Sequence, residues 1–138
     1  MHLTSFTDFG LRMLMRMASA PDSAFSTAEM AKEFGLSRNH LAKIVQRLAQ
    51  GGIVTTRRGS GGGAVLCKDP AEVRLGDVVR LLEEGQALVE CFRPGGGDCT
   101  IDARCRLKLR LHRAEARFIE DLNRSTLRDI ALPLRQAA

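Results

Sequence analysis

Residues 26–50, STAEMAKEFGLSRNHLAKIVQRLAQ, contain the pattern on which the architecture of this chain depends. Ser26, followed three residues later by Glu29, is a capping pattern that predicts the start of a helix. Gly35 then predicts a turn, and Ser37 predicts the N-cap of a second helix with apolar residues at helical spacing. Two short helices joined by a glycine-containing turn are typical of a helix-turn-helix, although a plain helical hairpin shares the pattern.

Two short runs of strand-forming residues follow, IVTTRR at 53–58 and AVLCK at 64–68, on either side of GSGGG. They predict a β-hairpin, or wing, after the second helix. The glycine run loosely matches a dinucleotide-binding motif, but that motif requires a helix directly afterwards. Because apolar and β-branched residues follow instead, we reject nucleotide binding. We interpret Cys67, in the second strand, as a small buried apolar residue.

The charge of this region has one sign. Residues 35–68 hold six basic side chains and no acidic one, whereas a merely solvated surface usually mixes both signs. With a net charge of +5 for the chain, this block favours a polyanion such as double-stranded DNA. The N-terminal turns of a recognition helix normally enter the major groove. The predicted DNA contacts are Ser37, Arg38, Asn39, His40 and Lys43 on the second helix, and Arg57 and Arg58 at the base of the wing. A solvated helix surface is the alternative.

Other features exclude several classes of protein. No apolar run approaches the roughly 20 residues needed to cross a bilayer. The N-terminus lacks the basic start and apolar region of a secretory signal, so we expect a cytoplasmic protein. A thiol enzyme needs a base near its nucleophilic cysteine. Because the three histidines, His2, His40 and His112, are scattered, we do not expect an enzyme.

Apolar residues at helical spacing also occur before and after the helix-turn-helix. This spacing predicts a first helix over about residues 7–20, with core methionines, and a fourth helix over 75–84. From residue 103 or 104 to about 123, a longer helix carries an apolar seam suited to packing against a second copy of the chain. The seam consists of Leu107, Leu111, Ala114, Phe118 and Leu122. Thr126 and Asp129 predict a capping box before a last short helix.

Three of the four cysteines lie in the glycine-rich segment CFRPGGGDCTIDARC, residues 91–105. Seven residues separate Cys91 from Cys99, and five separate Cys99 from Cys105. Zinc sites usually contain closely spaced cysteine pairs, and none is present. The spacing allows three thiolates to surround an iron–sulfur cluster, but reactive thiols or unrelated cysteines fit it as well. Candidates for a fourth cluster ligand are Asp8, His112, His2, a glutamate and Cys67.

Several segments together resemble the NsrR-type nitric-oxide-sensing repressors. These belong to the winged-helix iron–sulfur regulator superfamily that also contains IscR and RirA. The segments are LTSFTDFGLRML, GLSRNHLAKIVQRL, VTTRRGSGGG, VRLGDVVRLLE and the three spaced cysteines, and they cover essentially the whole chain. One departure is the gap of seven residues between Cys91 and Cys99, which is longer than in many such proteins.

This resemblance implies a mainly α winged helix-turn-helix with a small β-hairpin wing and a long C-terminal dimerisation helix. It implies a homodimeric repressor that binds a palindromic operator and responds to nitric oxide. Cys91, Cys99 and Cys105 would hold one 4Fe–4S cluster per subunit (2Fe–2S is the alternative), with Asp8 of the partner subunit as fourth ligand. Residues 1–85 would bind DNA, 86–105 would form the cluster-binding loop, and 106–138 the dimerisation helix and tail. A regulator of iron or iron–sulfur supply, similar to RirA or IscR, is the alternative function.

Overall fold

The computed structural model of the chain describes residues 1–59 and 62–133. It is mainly helical, as predicted, and within these residues it contains five α-helices and one two-stranded sheet. In chain order the elements are α1 (Ser5–Ala18), α2 (Thr27–Phe34), α3 (Arg38–Gln50), β1 (Val54–Arg57), β2 (Gly63–Leu66), α4 (Leu75–Leu82) and α5 (Arg106–Leu122). Short 3₁₀ turns lie at Pro70–Glu72, Glu90–Phe92, Asp102–Arg104 and Leu127–Ile130. None of the helices in the described residues is long and apolar enough to span a membrane.

The helices α2 and α3 form the predicted helix-turn-helix. The Ser26 hydroxyl accepts the backbone N–H of Glu29 at 3.3 Å and begins α2. The Ser37 hydroxyl accepts the backbone N–H of His40 at 3.0 Å and begins α3. Between the helices, Gly35 ends α2 with a left-handed backbone, φ 67°. Each serine satisfies an N–H group that a helix start leaves without a partner, so the turn is encoded locally.

The wing also forms as predicted, with β1 antiparallel to β2. The chain before α2 joins this hairpin, because the backbone N–H and C=O of Phe25 bond to Ala64 at 2.9 and 2.8 Å. Residues 60 and 61 of the predicted GSGGG turn lie outside the described residues. The expectation for Cys67 was wrong, because this residue is exposed. It follows the last residue of β2, and its backbone N–H still donates to the carbonyl of Ile53 across the hairpin at 2.9 Å, while its side chain is exposed.

The core is built around α1, which contacts α3, α4, β2 and the C-terminal 3₁₀ turn. Gly10 permits the close approach of α1 to its neighbours: a Cβ there would lie 2.6 Å from Leu82 Cδ1 and 3.4 Å from Ile44 Cγ2. The methionines of α1 belong to this core, as predicted. The largest buried side chains include Met13, Leu14, Met17, Met30, Leu41, Ile44, Leu48, Val78 and Leu127.

The helix α5 is attached to α4 through Asn123, directly after its last turn. The Asn123 side chain accepts the backbone N–H of Asp77 at 2.9 Å and donates to the Asp77 carboxylate at 3.1 Å. Gly76 makes this approach possible, since a Cβ there would collide with the carbonyl oxygen of Ile119. The start of α4 and the end of α5 are therefore held together by one side chain and by close backbone contact.

The C-terminal turn inserts into the same core. Leu127 is fully buried, and its backbone N–H donates to the carbonyl of Val73 at 2.8 Å. The predicted capping box is confirmed, because the N–H and hydroxyl of Thr126 both donate to the Asp129 carboxylate, at 2.7 and 3.2 Å. The element that follows is a 3₁₀ turn rather than a helix, and residues 134–138 of the predicted tail lie outside the described residues.

Some helix boundaries differ from the prediction. The helix α1 begins earlier, at Ser5, and α4 ends earlier, at Leu82. The helix α5 begins only at Arg106. Its late start follows from Cys105, whose extended backbone (φ −80°, ψ 111°) interrupts the helical path after the 3₁₀ turn at Asp102–Arg104. A cysteine therefore occupies the N-cap of α5.

The apolar seam of α5 is only partly covered within the single chain. Ile119 is buried where α5 meets α4, with 8% of its surface exposed. Leu107 and Phe118 of the predicted seam are 62% and 38% exposed. Leu109 is 54% exposed, but it lies two residues from Leu107 and therefore on the opposite side of the helix. Exposed apolar side chains on one side of an otherwise charged helix are typical of a surface that binds another protein.

Candidate nucleic-acid interface and thiol loop

One side of α3 is open to solvent and carries three of the predicted DNA contacts. Arg38, Asn39 and Lys43 are exposed, whereas Leu41 and neighbouring apolar residues face the core. Gln46, which we did not predict, continues the exposed side one turn beyond Lys43. Its spacing of three residues from Lys43 is the signal that could have found it. A glutamine side chain can bond the edge of adenine in the major groove.

Ser37 and the wing arginines stand at the two ends of this surface. The Ser37 hydroxyl is exposed and accepts the N–H of His40, which leaves its own O–H available to donate to a phosphate. Arg57 and Arg58 are exposed. They were expected at the base of the wing, but Arg57 pairs with Gly63, the first residue of β2. The two arginines therefore lie at the tip of the hairpin.

His40 departs from the exposed position expected for a DNA contact. It is half-buried, and its ring centroid lies 6.2 Å from that of Phe6 and 6.3 Å from that of Phe9, both on α1. His40 precedes Ile44 by one helical turn, so it lies on the side of α3 that faces α1. Sequence reasoning missed this contact because the partner rings belong to a different helix, far earlier in the chain.

Arg47 ties the same side of α3 to α4. Its guanidinium donates to the carbonyl of Leu81 at 3.2 Å and lies 3.8 Å from the Glu84 carboxylate. It also lies 5.7 Å from the ring centroid of Phe6. Arg47 is therefore engaged inside the fold, although the sequence placed it in the same basic block as the exposed cations.

Asp8 lies in the first turns of α1, with half of its side chain exposed (50%). Its two carboxylate oxygens accept hydrogen bonds from Arg12, at 3.1 and 2.7 Å. The same guanidinium lies 4.8 Å from the ring centroid of Phe9. An exposed ion pair of this kind contributes only about 0–1 kcal/mol. The carboxylate can therefore exchange Arg12 for another partner at small cost.

The three loop cysteines are unpaired thiols. Cys91 lies in the 3₁₀ turn after α4 and Cys105 directly before α5, and both are half-buried. Cys99, between them, is exposed. In residues 1–59 and 62–133, no three His, Cys, Asp or Glu side chains are grouped closely enough to hold a metal ion. The structure therefore places the three thiols on one loop without assembling them into a ligand set.

Two side chains of α5 hold the loop that carries these thiols. The ring of His112 stacks on that of Phe92, with centroids 3.7 Å apart and planes inclined by 19°. The Lys108 ammonium donates to the Asp102 carboxylate at 2.8 Å. Phe92 directly follows Cys91, and Asp102 lies close before Cys105. Both ends of the loop are thus fixed to α5, and the middle is not.

Lys108 also lies within electrostatic range of two thiols. The hydrogen bond from Lys108 to Asp102 raises the pKa of Lys108 above its usual value. The negative charge of Asp102, and that of Cys91 and Cys105 when ionised, acts in the same direction. The positive charge of Lys108 thus lies where it would favour the ionised forms of Cys91 and Cys105.

A family model described as "Rrf2: Iron-dependent Transcriptional regulator" matches residues 3–132. The chain belongs to the Rrf2 family. The HTH-type transcriptional regulator NsrR of Shouchella clausii (strain KSM-K16) is 38% identical over 133 residues, or 96% of this chain and 89% of that protein. Two solved structures share the fold. CymR (YrzC), the global cysteine regulator of B. subtilis, has a TM-score of 0.69 and 26% identity, covering 95% of this chain and 96% of CymR. T. potens IscR has a TM-score of 0.70 and 22% identity, covering 100% of this chain and 93% of IscR.

Membership of the Rrf2 family confirms that the chain is a regulator of transcription rather than an enzyme. The resemblance stated from the sequence motifs is confirmed by the same matches. The fold neighbours confirm the winged helix-turn-helix. Because the family match runs from residue 3 to residue 132, it includes the thiol loop and α5 as well as the helix-turn-helix.

Proposed function

We propose that this Rrf2 family member is a homodimeric repressor whose binding to a palindromic operator depends on an iron–sulfur cluster that reacts with nitric oxide. One observation carries the proposal. Three unpaired thiols lie on the single loop between α4 and α5, in a chain that is 38% identical to a protein named NsrR. The arrangement of the exposed side chains supports each part of this function.

In this proposal α3 is the recognition helix. Its exposed N-terminal end carries Arg38 and Asn39, and this is the end that enters the major groove in helix-turn-helix proteins. Arginine matches the acceptor pair of guanine, and asparagine matches adenine. The remaining contacts, to phosphates or to a narrow minor groove, would come from Ser37, Lys43, Arg57 and Arg58. His40, a further predicted contact, is half-buried with its ring near Phe6 and Phe9 of α1.

Cys91, Cys99 and Cys105 would hold a 4Fe–4S cluster, with Asp8 of the partner subunit as the fourth ligand. The donor set fits such a group, because thiolates are the usual ligands of iron–sulfur clusters. All three thiols are unpaired, and Cys99 is exposed in the middle of the loop. When bound, the cluster supplies the iron at which nitric oxide reacts. Asp8 is suited to a ligand shared between subunits because its carboxylate is exposed and weakly held.

Homodimerisation would use α5. Leu107 and Phe118 of the predicted seam are exposed on one side of this helix, as expected for a subunit interface. Residues 1–85 would then bind DNA, 86–105 would hold the cluster, and 106–138 would dimerise. The segment 106–138 also stabilises the DNA-binding unit, because the side chain of Leu127 is buried in the core of that unit.

Protein purified without oxygen tests the function. The wild type should show a broad absorption shoulder at the blue end of the visible spectrum, and titration with nitric oxide should abolish this absorption and operator binding in parallel. Serine at Cys91, Cys99 and Cys105 together should give a colourless protein. Cys67→Ser is the matched control and should keep the colour, because Cys67 lies on the wing and not on the loop. Operator binding that is unchanged by nitric oxide would contradict the proposal.

A regulator of iron or iron–sulfur supply is the second candidate. It is favoured by the description of the family as an iron-dependent transcriptional regulator. The operator affinity of such a protein would change when a chelator removes iron. It would not respond separately to nitric oxide. Titrating the same preparation with a chelator and with nitric oxide, in separate experiments, distinguishes the two candidates.

A further inference from the structure

Aromatic rings of α1 and α3 meet at His40. The imidazole lies 6.2 Å from the Phe6 ring with the planes inclined by 34°, and 6.3 Å from the Phe9 ring in an edge-to-face arrangement at 70°. Both separations fall within the range of about 4.5–7 Å at which aromatic pairs attract each other. His40 directly follows Arg38 and Asn39 in the first turn of α3. The packing of the His40 ring on α1 therefore also fixes the positions of the exposed Arg38 and Asn39 side chains.

Phe9 is linked in turn to Asp8 through Arg12. The Arg12 guanidinium bonds both carboxylate oxygens of Asp8 and lies 4.8 Å from the ring centroid of Phe9. This distance is short enough for a cation–π interaction, which extends to about 6 Å. Asp8, Arg12, Phe9 and His40 thus form a continuous series of contacts. It runs from an exposed carboxylate on α1 to the first turn of the recognition helix.

The helix α1 packs closely against α3 and α4 at this point. At Gly10, next to Phe9, a Cβ would lie 2.6 Å from Leu82 of α4 and 3.4 Å from Ile44 of α3. Interiors packed this closely transmit strain. Arg47 adds a second contact between α3 and α1, through the ring of Phe6. We therefore expect a shift of the first turns of α1 to be passed to α3.

We propose that His40 is a positioning residue, which transmits the state of the Asp8 turn to the DNA-contacting end of α3 and does not contact a base. In this arrangement Arg38 and Asn39 contact the bases, and the ring of His40 determines where they lie. The inference rests on the proposed function in two respects: it takes α3 as the recognition helix and Asp8 as the residue that responds to the signal.

A double-mutant cycle in operator binding tests the coupling. The probe is a DNA duplex selected from a random-sequence pool with wild-type protein purified without oxygen, and fluorescence anisotropy measures its affinity. Arg12→Ala and His40→Ala, made separately and together, should be non-additive by about fivefold or more. Arg12→Ala combined with Lys43→Ala is the control cycle. It should be additive, because Lys43 is exposed and, within the described residues, forms no hydrogen bond or ion pair with α1. Additivity in the first cycle would overturn the proposal.

Two further variants separate the ring of His40 from its nitrogen atoms. His40→Phe keeps the packing on Phe6 and Phe9 but cannot bond a base, and it should retain operator affinity within about twofold and the coupling to Arg12. His40→Gln keeps a polar group but loses the ring, and it should lose the coupling. If His40 contacted a base directly, the phenylalanine variant would lose about 5–150-fold in affinity. That result would also overturn the proposal. Circular dichroism confirms that each variant is folded.

These measurements need no response to nitric oxide, since they compare variants in one form of the protein. If operator binding by the wild type does not respond to nitric oxide, nitric oxide is not the signal. The Arg12–His40 double-mutant cycle would still measure the coupling between α1 and α3. An additive Arg12–His40 cycle in a protein that does respond to nitric oxide would remove only the role of His40. The two failures are therefore distinguishable.

Discussion

The carboxylate of Glu83 accepts both hydrogen-bond donors of Thr4, the backbone N–H at 2.7 Å and the hydroxyl at 3.0 Å. Glu83 is the C-cap of α4, and Thr4 is the N-cap of α1, where its hydroxyl oxygen also accepts the N–H of Thr7. One carboxylate thus fixes the start of the Asp8-bearing helix to the end of the helix that leads into the thiol loop.

Replacing Glu83 by alanine should lower the free energy of unfolding by about 1.5–3 kcal/mol, the range for hydrogen bonds to a charged group. Glu84→Ala is the matched control. The side chain of Glu84 is 72% exposed and lies 3.8 Å from Arg47, so its loss should cost less than about 0.5 kcal/mol. Urea denaturation measures both values. Equal effects of the two substitutions would show that the Thr4 contact is not what stabilises this corner of the fold.

The stack of His112 on Phe92 should limit the opening of the thiol loop. Aromatic pairs contribute about 0.5–1.5 kcal/mol, so His112→Ala should increase local opening of residues 86–98 by about two- to tenfold. Hydrogen exchange of the backbone amides in this segment measures the change. His112→Phe retains a stacking ring and should exchange like the wild type. Unchanged exchange in the alanine variant would mean that other contacts hold the loop.

The contact between Lys108 and Asp102 should be lost in strongly alkaline solution. Because the pKa of Lys108 is raised in the folded chain, the contact stabilises the loop below the unfolded-state pKa of Lys108, as long as Asp102 is ionised. Its contribution is lost as pH rises through the folded-state pKa. Asp102→Asn removes the largest cause of the shift and should return the pKa of Lys108 toward its usual value. NMR of isotope-labelled lysine measures this, and an unchanged pKa would contradict the assignment.

Arg38 and Lys43 should affect DNA binding in different ways. Arg38→Ala should cost about 1–3 kcal/mol on the operator and relax specificity at one base pair, because an arginine contact to guanine reads sequence. Lys43→Ala should weaken binding to all duplexes alike and reduce the slope of log affinity against log salt by about 1, as expected for a lost phosphate contact. Titrations at several salt concentrations, with matched and mismatched duplexes, separate the two effects. Identical salt slopes and specificity for both variants would reject this division.

The sequence predicted the order of the elements because their signals are local. Ser26 and Ser37 cap α2 and α3, and Thr126 caps the last turn with Asp129, each through residues three positions away. The missed features depend on distant partners. The ring of His40 packs on α1, and the exposed Cys67 lies where the wing hairpin ends. The site was predicted as a set of exposed side chains and three thiols. The contacts that hold it, such as His112 on Phe92, follow from the fold and not from spacing.

Between residues 83 and 118 no side chain is buried; the interior ends at Leu82 and resumes at Ile119. The positions between them, including all three loop cysteines, therefore lie outside the buried core of the single chain, where close packing limits substitution. In the exposed middle of the loop, around Cys99, the ligand chemistry can change without disturbing the core that positions the recognition helix.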